Sequence, residues 1–338
     1  MTATSTDPQG KLALIDDAKR ASALALVKRG RVYDLGHVLD ERVPVFPGRY
    51  FKQTLVTTAH HANLGGGVGE NDVNWITEHV SGTMQLGTHL DALCHLQMGG
   101  SGYGGLSVQE LAGVNGVRHL GIETVPQIVT QGWLVDISGL QAGDVIGPEP
   151  CAGIDPEPGD AVLFYTGWSR HWGNPETYVS GEPGPGCDLA QWLADRNVAL
   201  TGCDTWSYGP VPPEDPDRPF RVPQILNIEH GVFVVENLDL ADLAAAGVSG
   251  PFALILTHPK LRGATGAWTS PIARRRGSAP CGTLRGSTSS RAPAGGSRRA
   301  RAAGSACPRG PASARARLRG GRALRRKLAR VADFLLRS

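Results

Sequence analysis

At Arg274 the chain stops being a sequence that can build a core. Residues 274–338 carry 17 Arg, one Lys and a single acid, Asp333, a charge of +17, and most of their other side chains are Ala, Gly, Ser or Pro. So few large apolar side chains cannot offset the entropy of ordering the segment, and it is expected to be a disordered tail. The 273 residues before it hold 16 basic and 30 acidic side chains, a charge of −14. The formal +3 of the whole chain describes neither part. Bulk charge therefore gives no reason to read the protein as a nucleic-acid binder. The tail alone is expected to take up nucleic acid non-specifically, through salt-dependent phosphate contacts. Its abrupt start, in residues encoded by GC-rich codons, is expected to reflect a shift of reading frame.

The rest of the chain is long enough for one large domain. Three parts are expected: an N-terminal helical segment over 1–30, a catalytic domain over 31–273 and the tail over 274–338. No run of 18 apolar residues occurs, so no membrane partner is expected. The first residues, MTATSTDPQG, lack the basic start and apolar centre of a signal peptide. Six cysteines without a CxxC pair indicate neither a zinc ribbon nor a disulfide framework. A cytoplasmic protein with reduced thiols is the expectation.

Residues 10–29 have the spacing of one amphipathic helix ending before Gly30. Strands are expected at Arg31–Leu35, within 74–96, and at Trp133–Ile137, Ala161–Thr166, Val198–Gly202, Val232–Val235 and Phe252–Leu256. Helices are expected at Val108–Ala112 and Leu189–Arg196. Residues 43–49, VPVFPGR, read as an extended loop pinned by two prolines, and 62–72, ANLGGGVGEND, as a mobile glycine-rich loop flanked by His60 and His61. Strands interleaved with helices indicate an α/β fold with a mixed sheet.

The densest polar cluster is Gln85-Leu-Gly-Thr88-His89-Leu-Asp91-Ala-Leu-Cys94-His95. In an extended strand, residues two and four apart share a face, which groups Gln85, His89 and Asp91, with Gly87 leaving space. His95 can return through a turn. Imidazole nitrogen with carboxylate oxygen suits a divalent ion such as Zn²⁺ or Mn²⁺. Glu236 ends the apolar run GVFVVE, and a buried carboxylate there needs a cation or hydrogen-bond donors. Trp168 and His171, with Trp172, fit either a wall for an aromatic substrate or ordinary packing. Thr88 and Asp204 are placed behind the ligands as supports, with a turn-forming role the competing reading of Asp204. Cys94 falls inside the cluster but is expected to face the core.

GTHLDALCH resembles the HxGTHxDxxxH signature of the cyclase-like metal-dependent hydrolases, which include bacterial kynurenine formamidases and isatin hydrolases. The resemblance runs from about Val32 to Ala273, through RVYDLGHVLDERVPVFPG, GDAVLFYTGW, TGCDTWS, EHGVFVVENLDL and FALILTHPKLRGATGAWTSPIA. It implies a swivelling β/β/α-type single domain, a homodimer or homotetramer, and one or two divalent ions. It implies that His89, Asp91 and Glu236 are metal ligands and that His95 is the proton-transfer residue or a ligand of a second ion. Two positions depart from the pattern. Gln85 stands where the first histidine is expected, and the later histidine falls at Pro223 or Gln224. A single ion held by His89, Asp91, Glu236 and Gln85 then fits as well as two. The implied activity is hydrolysis of a C–N bond in a small amide, formamide or lactam by metal-activated water, as in arylformamidases of tryptophan catabolism. A lactone- or ring-acting enzyme, or a non-catalytic binding member, is the alternative.

Overall fold

Short apolar runs punctuated by Gly, Pro and Asp give many short strands, and in the computed structural model of the chain they make a mixed sheet. The structure describes residues 7–274 apart from 29, 58–69, 72, 74 and 249. His60, His61, most of the glycine-rich stretch and the basic tail beyond Arg274 lie outside the described residues.

In chain order the strands are β1 (Val32–Asp34), β2 (Phe51–Thr57), β3 (Thr77–Gly82), β4 (His89–Asp91), β5 (Ala112–Gly113), β6 (Gly116–Val117), β7 (Ile128–Asp136) and β8 (Val145–Ile146). There follow β9 (Ala161–Tyr165), β10 (Gly184–Pro185), β11 (Leu200–Cys203), β12 (Phe233–Glu236), β13 (Phe252–Leu256), β14 (Gly266–Trp268) and β15 (Ile272–Arg274). Nine of them form one curled sheet in the order β1-β15-β13-β7-β9-β11-β12-β4-β14. Its centre, β7-β9-β11-β12, is parallel. The strands on both sides run antiparallel.

The parallel strands are buried on both faces, as such strands usually are. Leu163, Phe233 and Val235 enter one core cluster with Leu90 and Leu254. Val162, Phe164 and Val234 enter a second, with Leu189 and Leu193 from the helix Cys187–Asp195. Neighbouring residues thus serve opposite layers, which fixes the register because a slip by one would exchange the two sets.

Most expected strands are found within one to three residues, but β7 starts five residues before Trp133. Seven strands, β2, β5, β6, β8, β10, β14 and β15, lie where none was expected. The single helix over 10–29 is corrected. The chain makes a 3-10 helix over Gly10–Leu14, breaks, and restarts as α1 (Asp17–Ala25), capped by Asp16 accepting from the Lys19 amide at 2.8 Å. The break follows from tertiary anchoring: Leu12 and Ile15 are buried, and the Lys11 amide donates to the Gly231 carbonyl at 2.8 Å. Gly10, at φ +47°, sits so near that carbonyl that no side chain fits.

Candidate metal centre

The site is built on the edge pairing of three short strands. In β4 His89 and Asp91 project to one face while Leu90 fills the first core cluster. Glu236 of β12 lies directly opposite His89 and Val235 opposite Leu90, so Glu236 shares the face of His89. On the other side β14 sets Trp268 opposite His89 and Gly266 opposite Asp91.

All three polar side chains are buried. His89 Nε2 is 3.3 Å from Glu236 Oε2 and 3.7 Å from Asp91 Oδ1. One ligand atom from each residue lies within 4.8 Å of the others. His89 Nε2 and Asp91 Oδ1 have no hydrogen-bond partner despite burial. His89 Nδ1 lies 2.9 Å from the Gly87 carbonyl, an acceptor, which assigns the proton to Nδ1 and turns the Nε2 lone pair toward two carboxylates. With the imidazole neutral, such an arrangement is repulsive unless a cation lies between the groups. Burial raises the Glu236 carboxyl above the ordinary range, and Asp91 adds to this while His89 and Arg49 oppose it. Burial alone would lower His89, but Glu236 and Asp91 outweigh it and hold the imidazole above its ordinary value.

A divalent ion with bonds of about 2.0–2.2 Å spaces its ligand atoms about 3.3–3.6 Å apart when tetrahedral. The spacing around His89 Nε2 and the orphaned ligand atoms therefore fit an ion held by His89, Asp91 and Glu236.

His95 follows in the turn after β4, its amide donating to the Ala92 carbonyl at 2.9 Å. Its Nε2 is 4.0 Å from Asp91 Oδ1, and its side chain is 24% exposed, so it borders the site from the open side. Gln85 reaches the site differently from the strand reading. Residues 84–88 are bends, with Gly87 at φ +56°, so Gln85 does not share a strand face with His89. Its amide nitrogen donates to Thr265 Oγ1 at 3.0 Å. A Cβ on Gly266 would stand 2.9 Å from that nitrogen and 3.5 Å from Asp91 Oδ1, so glycine leaves room for both. Pro223 is buried and Gln224 half-buried at the start of a π-helical turn, Gln224–Glu229. Proline has no ligand atom to offer.

Thr88 ties the strands together from behind. Its hydroxyl donates to the Asn237 carbonyl at 2.5 Å and accepts from the His37 amide at 2.9 Å. Asn237 itself carried no sequence signal beyond its place after Glu236. At φ +54° it donates from Nδ2 to the Gly87 carbonyl at 2.9 Å, the acceptor that also orients His89. Asp204 braces another loop: Oδ1 accepts from the amide and hydroxyl of Thr166, and Oδ2 from those of Ser169. That loop carries Trp168, which is buried, donates to the Tyr178 carbonyl at 3.1 Å and packs edge-on against His171 at 4.7 Å. These two rings are engaged with each other rather than gathered into the three-residue cluster. Burial pushes the Cys94 thiol up to about 12, which removes it as a nucleophile at neutral pH.

One further residue stands beside the cluster, with two aromatic rings behind it. Arg49 Nη1 donates to the Gln85 carbonyl at 2.6 Å, and its charge lowers the Glu236 pKa. The guanidinium lies 5.4 Å from the Phe46 ring centre, and Phe46 lies 5.2 Å from Trp206. Trp206 is fixed by Glu182, a fully buried carboxylate that accepts from the Trp206 amide at 2.6 Å and from the amide and hydroxyl of Ser207. The only forewarning of Arg49 was its place at the end of the proline-pinned 43–49 loop. A separate cavity of about 740 Å³ is lined by His37, Thr88, His258 and Thr269 among others, and by none of the three ligand residues.

Known proteins share this architecture. One solved structure, described as a novel cyclase, matches with a TM-score of 0.73 at 24% identity, covering 80% of this chain and 95% of its own. Isatin hydrolase A from Ralstonia solanacearum matches with a TM-score of 0.56 at 20% identity, covering 75% and 94%. Kynurenine formamidase of Polaromonas naphthalenivorans (strain CJ2) is 28% identical over 244 residues, 71% of this chain and 89% of that protein. The model of the Cyclase family, described as "Putative cyclase", matches residues 33–210, which include β4 and the His89–Asp91 pair. By that match, over more than half of its length, the chain belongs to the Cyclase family.

Proposed function

We propose that the protein is a metal-dependent hydrolase of a C–N bond in a small amide, formamide or lactam, of the arylformamidase kind. The observation that carries this is the buried cluster of His89, Asp91 and Glu236, in which His89 Nε2 and Asp91 Oδ1 have no hydrogen-bond partner. The likeness to a kynurenine formamidase supports the bond class. A bound Zn²⁺ or Mn²⁺ would polarise the substrate carbonyl and lower the pKa of water toward neutrality.

The chain supplies the rest. His95 borders the site on its open side, where its imidazole takes the proton from the attacking water as the C–O bond forms. It returns that proton to the leaving nitrogen as the C–N bond breaks. Thr88 and Asn237 hold β4 against β12, so the ligand side chains need little reorganisation. The same proposal includes a homo-oligomeric assembly.

The test is metal analysis of the purified chain together with a panel of formanilides, lactams and lactones. His89→Ala and Asp91→Ala are expected to lose bound metal and turnover together. His95→Ala is expected to keep the metal and lose about 10²- to 10⁴-fold in rate. Full activity after chelation would overturn the proposal. Turnover of lactones alone would reassign the bond class.

A further inference from the structure

We propose that Arg49 selects the substrate: the site takes small amides or lactams that carry a carboxylate close to the scissile bond. This rests on the hydrolase reading above and adds the substrate's charge to it.

The first ground is placement. Arg49 closes the 43–49 loop, and its Nη1 donates to the carbonyl of Gln85 at 2.6 Å. The Gln85 side chain occupies the space left by Gly266, next to Asp91. The guanidinium is thus held beside the cluster by a bond to the main chain, not left to wander as a surface arginine. Its Cζ lies over the Phe46 ring, 5.4 Å from the centroid, which shields it partly from water.

The second ground is unused capacity. A guanidinium has five N–H donors in a planar fork. The hydrogen bond to Gln85 uses one nitrogen, and Arg49 forms no salt bridge among the described residues. The remaining edge matches the two oxygens of a carboxylate.

The third ground is charge balance. Asp91 and Glu236 together carry −2, and His89 is neutral as a ligand. One divalent ion brings that set to zero, and the charge of Arg49, already felt by Glu236, is then left uncompensated. A half-buried cation beside a neutral centre attracts an anion more strongly than it would in water. A neutral substrate would leave the fork hydrated and the charge unmatched, so the arrangement discriminates by charge.

Two matched compounds separate the cases: formanilide, which is neutral, and 2-formamidobenzoate, which adds one carboxylate beside the reacting nitrogen. Their poorly hydrolysed acetyl counterparts, acetanilide and 2-acetamidobenzoate, serve as ligands in calorimetry. All are tested on the full-length, metal-loaded protein, with metal content and thermal melting recorded for each variant. The wild type is expected to prefer the carboxylated compound. Arg49→Gln is expected to raise its KM at least tenfold and to weaken 2-acetamidobenzoate binding by a similar factor, with a clearly smaller change on the neutral compounds. Arg49→Lys, keeping the charge without the fork, is expected to fall between. Equal losses on both compounds, no loss on either, or no preference in the wild type would overturn the assignment. If neither compound is turned over, the formamide part of the hydrolase reading fails while calorimetry still decides the role of Arg49. Failure of 2-acetamidobenzoate to bind the wild type would count against it as well.

Discussion

His37 shows how a single side chain couples the site to pH. It stacks on Trp172 at 3.9 Å with the rings 8° from parallel, and its amide holds Thr88 behind the ligand strand. Burial lowers its pKa from 6.5, outweighing the opposite pull of Asp239 and Asp204. The unfolded chain therefore binds this proton at a higher pH than the native one. Stability from this residue is present above about 6.5 and is lost as pH falls from there through the lowered native value. His37→Phe keeps a flat ring on Trp172 and removes the titration. Its melting temperature is expected to fall less than that of the wild type between pH 6.5 and 5. An unchanged slope would show that the acid sensitivity lies elsewhere, with His258, also lowered chiefly by burial, the next residue to test. At this scale the sequence was informative where chemistry is rare. Two histidines and an aspartate within seven residues need a reason, and so does a glutamate ending an apolar run. Asn237 and Arg49 escaped notice because an asparagine or arginine in a loop is common, and only position reveals what they touch.

Among the elements, β4 is the critical one and also among the shortest, three residues between β12 and β14. It holds because both edges are paired and Leu90 is fully buried. Gly266 of β14 is where that fit is tightest. A Cβ there would come within 2.8 Å of the Leu90 carbonyl and 2.9 Å of Gln85 Nε2. Gly266→Ala is expected to cost about 1–3 kcal/mol by overpacking, and, by displacing Gln85 and β4, to weaken metal binding at least tenfold. Chemical denaturation and a metal titration measure the two effects. Wild-type affinity in a destabilised Gly266→Ala protein would show that β4 does not move with Gln85. The alternation rule correctly put His89 and Asp91 on one face but extended that face too far, to Gln85. A positive φ at Gly87 bends the chain between them, and periodicity cannot see a bend. The same limit produced the single helix over 10–29, where helical spacing is real but Leu12, Ile15 and Gly231 impose a break.

For the whole molecule, the boundary at residue 274 can be placed structurally. β15 pairs antiparallel with β1 on one side and β13 on the other. Ala273, in its centre, is fully buried. Ending the chain after Arg274 is expected to leave metal binding and any amide hydrolysis intact and to abolish retention on heparin. Ending it before Ile272 is expected to unfold the domain, because two strands then lose their partner. Circular dichroism and heparin chromatography distinguish the products. Loss of the fold on removing only residues 275–338 would show that the basic segment supports the domain. No helix among the described residues is long and apolar enough to cross a membrane.

Composition and local spacing marked the change of texture at residue 274, showed strands interleaved with helices, and singled out His89, Asp91, His95 and Glu236 as the candidate chemical residues. These are properties of near neighbours and of bulk content, which a sequence states directly. Tertiary structure decided that Glu236, 147 positions after His89, stands directly across from it, that Gln85 comes in from a bend, and that Arg49 bonds to the Gln85 carbonyl beside the cluster. Those juxtapositions depend on strand order and register across the sheet, which are set by packing on both faces at once and are written in no local stretch of sequence.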